Sequence, residues 1–81
     1  MLSDLKTSRK VIGLKQTKKA LKDGTALRVF MAADAEARVT REIAALCRDC
    51  GVEVVEVPTM KELGEACSID VGAAMAAVIR E

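Results

Sequence analysis

Four lysines, Lys15, Lys18, Lys19 and Lys22, stand at i, i+3, i+4 and i+7 within Gly13-Leu14-Lys15-Gln16-Thr17-Lys18-Lys19-Ala20-Leu21-Lys22-Asp23-Gly24. On a helix this spacing gathers all four ammonium groups into one stripe. Leu14 and Leu21, seven residues apart, and Ala20 give the same helix an apolar side with which to dock. Gly13 carries no side chain, so a ligand's backbone can come close to the helix start. The first-turn amides of a helix lack intrahelical partners and attract anions. The chemistry this stretch can do is capture of a polyanion. A lysine stripe is also the ordinary wet side of a helix, so the stripe alone leaves idle surface charge as a competing reading.

Other reactive groups lead nowhere comparable. Cys47-Arg48-Asp49-Cys50 is a C-x-x-C. Reactive pairs of this kind sit at helix N-termini, where the dipole favours the thiolate, whereas this pair falls at a predicted C-terminus. A structural zinc needs four ligands, and the chain has no histidine and three cysteines in all. Cys50 and Cys67 therefore read as small core residues, and a thiol redox protein is the weakest alternative. Histidine and tyrosine are absent, which removes common general acids and bases. Ser3, Ser8 and Ser68 have no base partner, and no glycine-rich phosphate loop follows a strand. The reading is of a protein that is not an enzyme and needs no cofactor or metal.

The mode of binding narrows as well. Phe30 is the one aromatic, and it falls in a predicted core strand. Modules that read unpaired bases stack them on exposed aromatic side chains, and that route is closed. What remains is a basic helix end reading a groove, with aliphatic contacts beside it. Ser68-Ile69-Asp70-Val71-Gly72 could supply those contacts. Ile69 and Val71 either turn inward and plug the end of a sheet or form an apolar lip for a flipped-out nucleotide.

The elements that position these residues follow from the pattern around them. The 81 residues suffice for one domain, spanning 1–81. A domain so small buries only roughly 60% of its unfolded chain's surface. With 51% hydrophobic residues the chain is not a disordered tail. The net charge of +1 conceals an asymmetry: residues 1–28 carry eight Lys/Arg against two acids, residues 29–81 five against ten. A molecule polarised in this way can hold a polyanion at one end. No membrane-length apolar run and no secretory leader is visible, so reduced thiols in the cytoplasm are expected.

Along the chain, Ser3 can cap a short helix containing Leu5, and Val11-Ile12 reads as a brief strand leading into Gly13. Gly24 stops the lysine helix. Leu27 to Ala33 favours a strand. Asp34 is placed to cap the next helix, whose core stripe is Val39, Ile43, Leu46 and Cys50, ending at Gly51. Val52 to Val57 is a strand closed by Pro58. Thr59-x-x-Glu62 is a capping box opening a helix with Met60, Leu63 and Cys67 on its apolar side. Ala73 to Ile79 reads as a last, fully buried strand. Four helices alternating with four strands predict an α/β fold: a three-layer α/β/α sandwich, its small mixed four-stranded sheet covered on both faces.

Three blocks carry a resemblance: Gly13-x-Lys15-Gln16-x-x-Lys19, Met31-Ala32-Ala33-Asp34-Ala35-Glu36 and Leu63-Gly64-x-Ala66-Cys67. In this order they resemble the L-seven-Ae ribosomal protein family, over about Lys10 to Ile79, and the length and the Lys-Gln pair are most similar to its short bacterial members of the YbxF type. The resemblance implies an α/β/α sandwich that binds kink-turn RNA, a duplex bent sharply at a three-nucleotide bulge flanked by tandem sheared G·A pairs. It implies that the helix after Gly13 enters the widened major groove at those pairs. Archaeal members have Asn and Glu where Lys15 and Gln16 stand, and a Lys matching Lys19. Lysine only donates, so Lys15 can reach guanine O6 or N7 but cannot accept from an amino group, while Gln16 keeps an acceptor and gains donors. Glu36 matches a glutamate that contacts a bulge nucleotide, and Ile69-Asp70-Val71 matches an apolar loop packed on the extruded base.

The resulting expectation is a monomeric, cytoplasmic RNA-binding protein that acts on ribosomal or regulatory RNA and takes neither a membrane nor a small-molecule substrate. Its site would comprise Gly13, Lys15, Gln16, Lys18, Lys19, Lys22, Glu36, Ile69, Asp70 and Val71. The rival from another class is a small protein-interaction module that uses the acidic second half.

Overall fold

The computed structural model of the chain describes residues 9–80. The short helix expected around Ser3 and Leu5 lies outside the described residues. Within them the order is β1 (Lys10–Ile12), α1 (Leu14–Asp23), β2 (Ala26–Ala32), α2 (Ala37–Cys50), β3 (Glu53–Val57), α3 (Met60–Ala66) and β4 (Met75–Ile79).

Strand side chains alternate between two faces, and in β2 both faces are apolar. Val29 and Met31 join one core layer with Ala20, Leu21, Ile43, Cys47, Met75 and Ala77, under α1 and α2. Phe30 and Ala32 join the other, with Val57, Leu63, Ala66, Cys67, Ala76 and Val78, under α3. A strand buried on both faces reads as an apolar run, and Val29 to Ala32 is one, following the exposed Leu27 and the half-buried Arg28. Full burial of a side chain such as Phe30 or Ile43 contributes about 1.5–3 kcal/mol. Ala76 and Ala77 are fully buried at the centre of β4, where small side chains let both helical layers approach the sheet. The α/β/α sandwich expected from the sequence is therefore present.

The four strands lie in the order β1-β4-β2-β3. β4 runs antiparallel to both β1 and β2, while β2 and β3 are parallel. The C-terminal ends of β1, β2 and β3 and the N-terminal end of β4 consequently share one end of the sheet. Gly13, the 33–36 turn and the 67–74 loop all emerge there, and all three described helices begin there.

Two expectations are corrected. Asp34 does not cap α2; the cap position is Glu36, which makes no side-chain capping bond. The amide of Ala35 turns back to the Ala32 carbonyl at 3.2 Å, and Asp34 instead accepts from the Met60 amide at 2.8 Å, at the start of α3. The expected core residue Cys50 is exposed and Cys47 is buried in its place. Cys50 ends α2 beyond the edge of the core, and its thiol donates to the Leu21 carbonyl at 3.6 Å beside an open crevice. The Thr59 half of the capping box of α3 forms: Thr59 Oγ1 accepts the Glu62 amide at 3.1 Å, and its hydroxyl donates to Glu62 Oε2 at 3.4 Å.

Candidate nucleic-acid interface

Gly13 joins β1 to α1 with φ 98° and ψ 164°. Its amide donates to the Met75 carbonyl at 2.9 Å and its carbonyl accepts the Thr17 amide at 3.0 Å, the first bond of the helix. Neither α1 nor α2 has a side-chain cap or an acidic residue in its first turn. α3 has both, in Thr59 and Glu62. Two helices thus present free first-turn amides and positive dipole ends at the same end of the sheet.

α1 divides as its spacing predicts. Thr17, Ala20 and Leu21 are buried and Leu14 is half-buried. Lys15, Gln16, Lys19 and Lys22 are exposed. At about 100° per residue, Lys15 and Lys19 lie some 40° apart and Gln16 and Lys19 some 60°, so these three side chains leave the helix as neighbours. Thr17 is buried along with Ala20 and Leu21, and its hydroxyl has no hydrogen-bond partner among the described residues. Lys18 stands at the flank of the row, where its Nζ meets Glu42 Oε2 of α2 at 2.7 Å. That hydrogen bond, together with the charge of Lys18, holds the Glu42 carboxyl below its ordinary range.

The loops at this end are fastened to one another. The Ala33 amide donates to the Val57 carbonyl at 2.7 Å, the Ala32 amide to the Ala74 carbonyl at 2.9 Å, and the Ala73 amide to the Met60 carbonyl at 3.0 Å. Glu36 is exposed and pairs with Arg38 at 3.0 Å. In the 68–72 loop the two apolar residues part company: Ile69 packs against the core beneath α3, whereas Val71 is 70% exposed. Asp70 is exposed between them. Ile69 thus turns inward and Val71 turns outward.

Two further residues belong to this surface. Arg38, in the first turn of α2, is 85% exposed at its side chain. Met60, 36% exposed, stands where α3 meets the 33–36 turn. The sequence carried one usable signal for them, since each lies in the first turn after a strand that ends at this edge.

The C-x-x-C offers little to redox chemistry. Burial raises the Cys47 thiol to about 11, with a smaller push from Cys50. Burial also raises Cys67. A thiol held protonated is a poor nucleophile.

Comparison with known proteins fits this architecture. RNA-binding protein YbxF of Geobacillus stearothermophilus is 43% identical over 76 residues, 94% of this chain and 93% of that protein. RNA-binding protein TTE2299 of Caldanaerobacter subterraneus subsp. tengcongensis is 46% identical over 69 residues, 85% of this chain and 84% of that protein. The solved Giardia lamblia 15.5kD RNA binding protein superposes with a TM-score of 0.89 at 26% identity, covering 99% of this chain and 71% of that one. A family model matches residues 2–81, and the chain belongs to the ribosomal protein L7Ae/L30e/S12e/Gadd45 family.

Proposed function

We propose that this protein binds RNA without catalysing a reaction and stabilises a sharply bent duplex of the kink-turn type. The observation that carries the reading is convergence. Lys15, Gln16 and Lys19 project together beside the first-turn amides that follow Gly13, and the turn bearing Glu36 and the loop bearing Val71 emerge at the same end of the sheet. Relatives named as RNA-binding proteins, similar over most of their length, support the ligand class.

The roles divide by chemistry. Lys15 and Lys19 donate to guanine O6 and N7 in a widened groove, and Gln16 both donates and accepts at base edges. Lys22, a turn further from Gly13, neutralises phosphate. Glu36 accepts from an amino or imino group of a bulge nucleotide, and Val71 gives an unstacked base an apolar rest with Asp70 beside it. Phe30, the one aromatic, is fully buried, so base stacking on an aromatic plays no part. Bending a duplex crowds its phosphates. Cations offset that repulsion, and the groove contacts arise only in the bent form, so binding shifts the RNA population toward the kink. The protein acts as a monomer in the cytoplasm.

A gel shift with a kink-turn RNA and with a version lacking the G·A pairs tests the reading. Retention of the first alone is expected. Equal retention of both removes the motif assignment, and retention of neither favours the protein-interaction module.

A further inference from the structure

The lysine row contains one cation that is already engaged. Lys18 reaches from α1 to Glu42 of α2, and the side chains are 37% and 50% exposed. The two helices start at the same end of the sheet and lie side by side on the same face, so this pair sits across the seam between them. Lys22 adds its own attraction to the same carboxylate. Lys15 and Lys19 have no such partner among the described residues.

We propose that Glu42 is a specificity-determining residue, which raises selectivity for bent RNA by withdrawing Lys18 from the cations open to phosphate; this rests on the RNA-binding reading above. Binding to any straight duplex is almost wholly phosphate neutralisation and scales with the number of free cations. Binding to the kinked motif adds groove contacts, which on this surface come from Lys15, Gln16 and Lys19. Removing one cation from the phosphate count weakens the first kind of binding more than the second. The Glu42 carboxylate also repels a phosphate backbone laid along the α1–α2 seam, which a straight duplex crossing the helix pair would have to approach. An exposed pair of this kind adds little to folding stability, so its removal leaves a folded protein and the effect is read in binding.

The test is a salt titration of affinity for a kink-turn RNA and for a straight duplex of equal length, with the wild type, Glu42→Gln, and the double variant Lys18→Gln/Glu42→Gln. Thermal melts by circular dichroism establish that all three are folded. Glu42→Gln frees Lys18: affinity for the straight duplex rises about two- to fivefold, and the slope of log affinity against log salt steepens by about one. The kink-turn RNA gains less, so the ratio of the two affinities falls. The double variant, which removes both charges at once, returns to wild-type slopes on both RNAs. An unchanged straight-duplex slope for Glu42→Gln overturns the proposal. So does a double variant that loses affinity for the kink-turn RNA, because Lys18 would then touch it directly. A wild type that does not distinguish the two RNAs removes the motif assignment instead, and the Glu42→Gln slope still decides whether Lys18 is withheld.

Discussion

The Gly13 amide donates to the Met75 carbonyl at 2.9 Å, so the residue that opens the lysine helix is fastened to the strand that leaves the Val71 loop. The bond holds Gly13 at φ 98° and ψ 164°, a region of backbone space essentially confined to glycine. A Cβ at this position would meet nothing within 4 Å, so the obstacle to a side chain is backbone strain and not packing. Gly13→Ala is expected to destabilise the fold by about 1–3 kcal/mol, read as a lower urea midpoint with an unchanged slope. D-alanine introduced by chemical synthesis favours the mirror-image backbone and should restore the midpoint. Equal losses for both alanines would show that strain is not the cause.

Gly64 is held for a different reason. A mid-helix glycine costs about 1 kcal/mol relative to alanine, yet α3 keeps one buried at this position. A Cβ there would fall on the Val71 carbonyl oxygen and crowd Gly72, and the Ile69 amide already donates to the Gly64 carbonyl at 3.1 Å. The loop lies directly on the helix backbone. Gly64→Ala should therefore cost stability, by about 1–3 kcal/mol as other overpacked sites do, and should speed hydrogen exchange at the amides of Ile69 and Ala73. The neighbouring exposed position, as Glu65→Ala, serves as the control and should leave both unchanged.

These two glycines show where sequence reading works and where it stops. Periodicity captured what is decided within a turn of helix or a few residues of strand. The lysine row, the β2 strand, the burial of β4 and the Thr59 cap could all be read before any partner was known. Contacts between distant segments could not. Asp34 resembles a cap for the helix that follows it, but its acceptor reaches Met60, 26 residues on. Cys47 and Cys50 both fit an apolar helix face, and only the place where α2 overruns the core separates them. Lys18 is set apart from Lys15 and Lys19 by Glu42, which stands across the seam.

The Asp34 contact predicts a measurable difference between two substitutions. Asp34→Ala leaves the Met60 amide without its partner and should cost about 0.5–2 kcal/mol, the range for a lost helix cap. Asp34→Asn retains an acceptor oxygen and should recover most of that stability. Urea unfolding of both variants checks this; equal losses would mean that the carboxylate's charge matters more than its hydrogen bond.

Binding measurements separate the groove residues from the phosphate residue. Lys19→Ala should weaken binding to kink-turn RNA by about 1–3 kcal/mol and erode the preference over an RNA lacking the G·A pairs. Lys22→Ala should weaken both RNAs alike and lower the salt slope by about one. An affinity unaffected by Lys19→Ala takes that lysine out of the site, and an unmoved salt slope takes Lys22 off the phosphate backbone.

Alkaline pH probes the buried thiols. In the folded chain Cys47 is raised from the ordinary 9.0 to about 11, chiefly by burial, so the folded state holds this proton more tightly than the unfolded state does. The stability it contributes is complete below pH 9.0 and is lost as pH climbs toward 11. Lysines deprotonate over the same range, so the comparison that isolates the thiol is wild type against Cys47→Ala. The variant is less stable at neutral pH because it leaves a cavity, and its stability should fall less steeply through the alkaline window. Iodoacetamide labelling followed by mass spectrometry gives a second readout, in which the exposed Cys50 reacts in the folded protein while Cys47 and Cys67 react only after unfolding. Labelling of Cys47 as fast as Cys50 in the folded state, with parallel stability curves for the two proteins, would show that the core under α2 does not exclude solvent from this thiol.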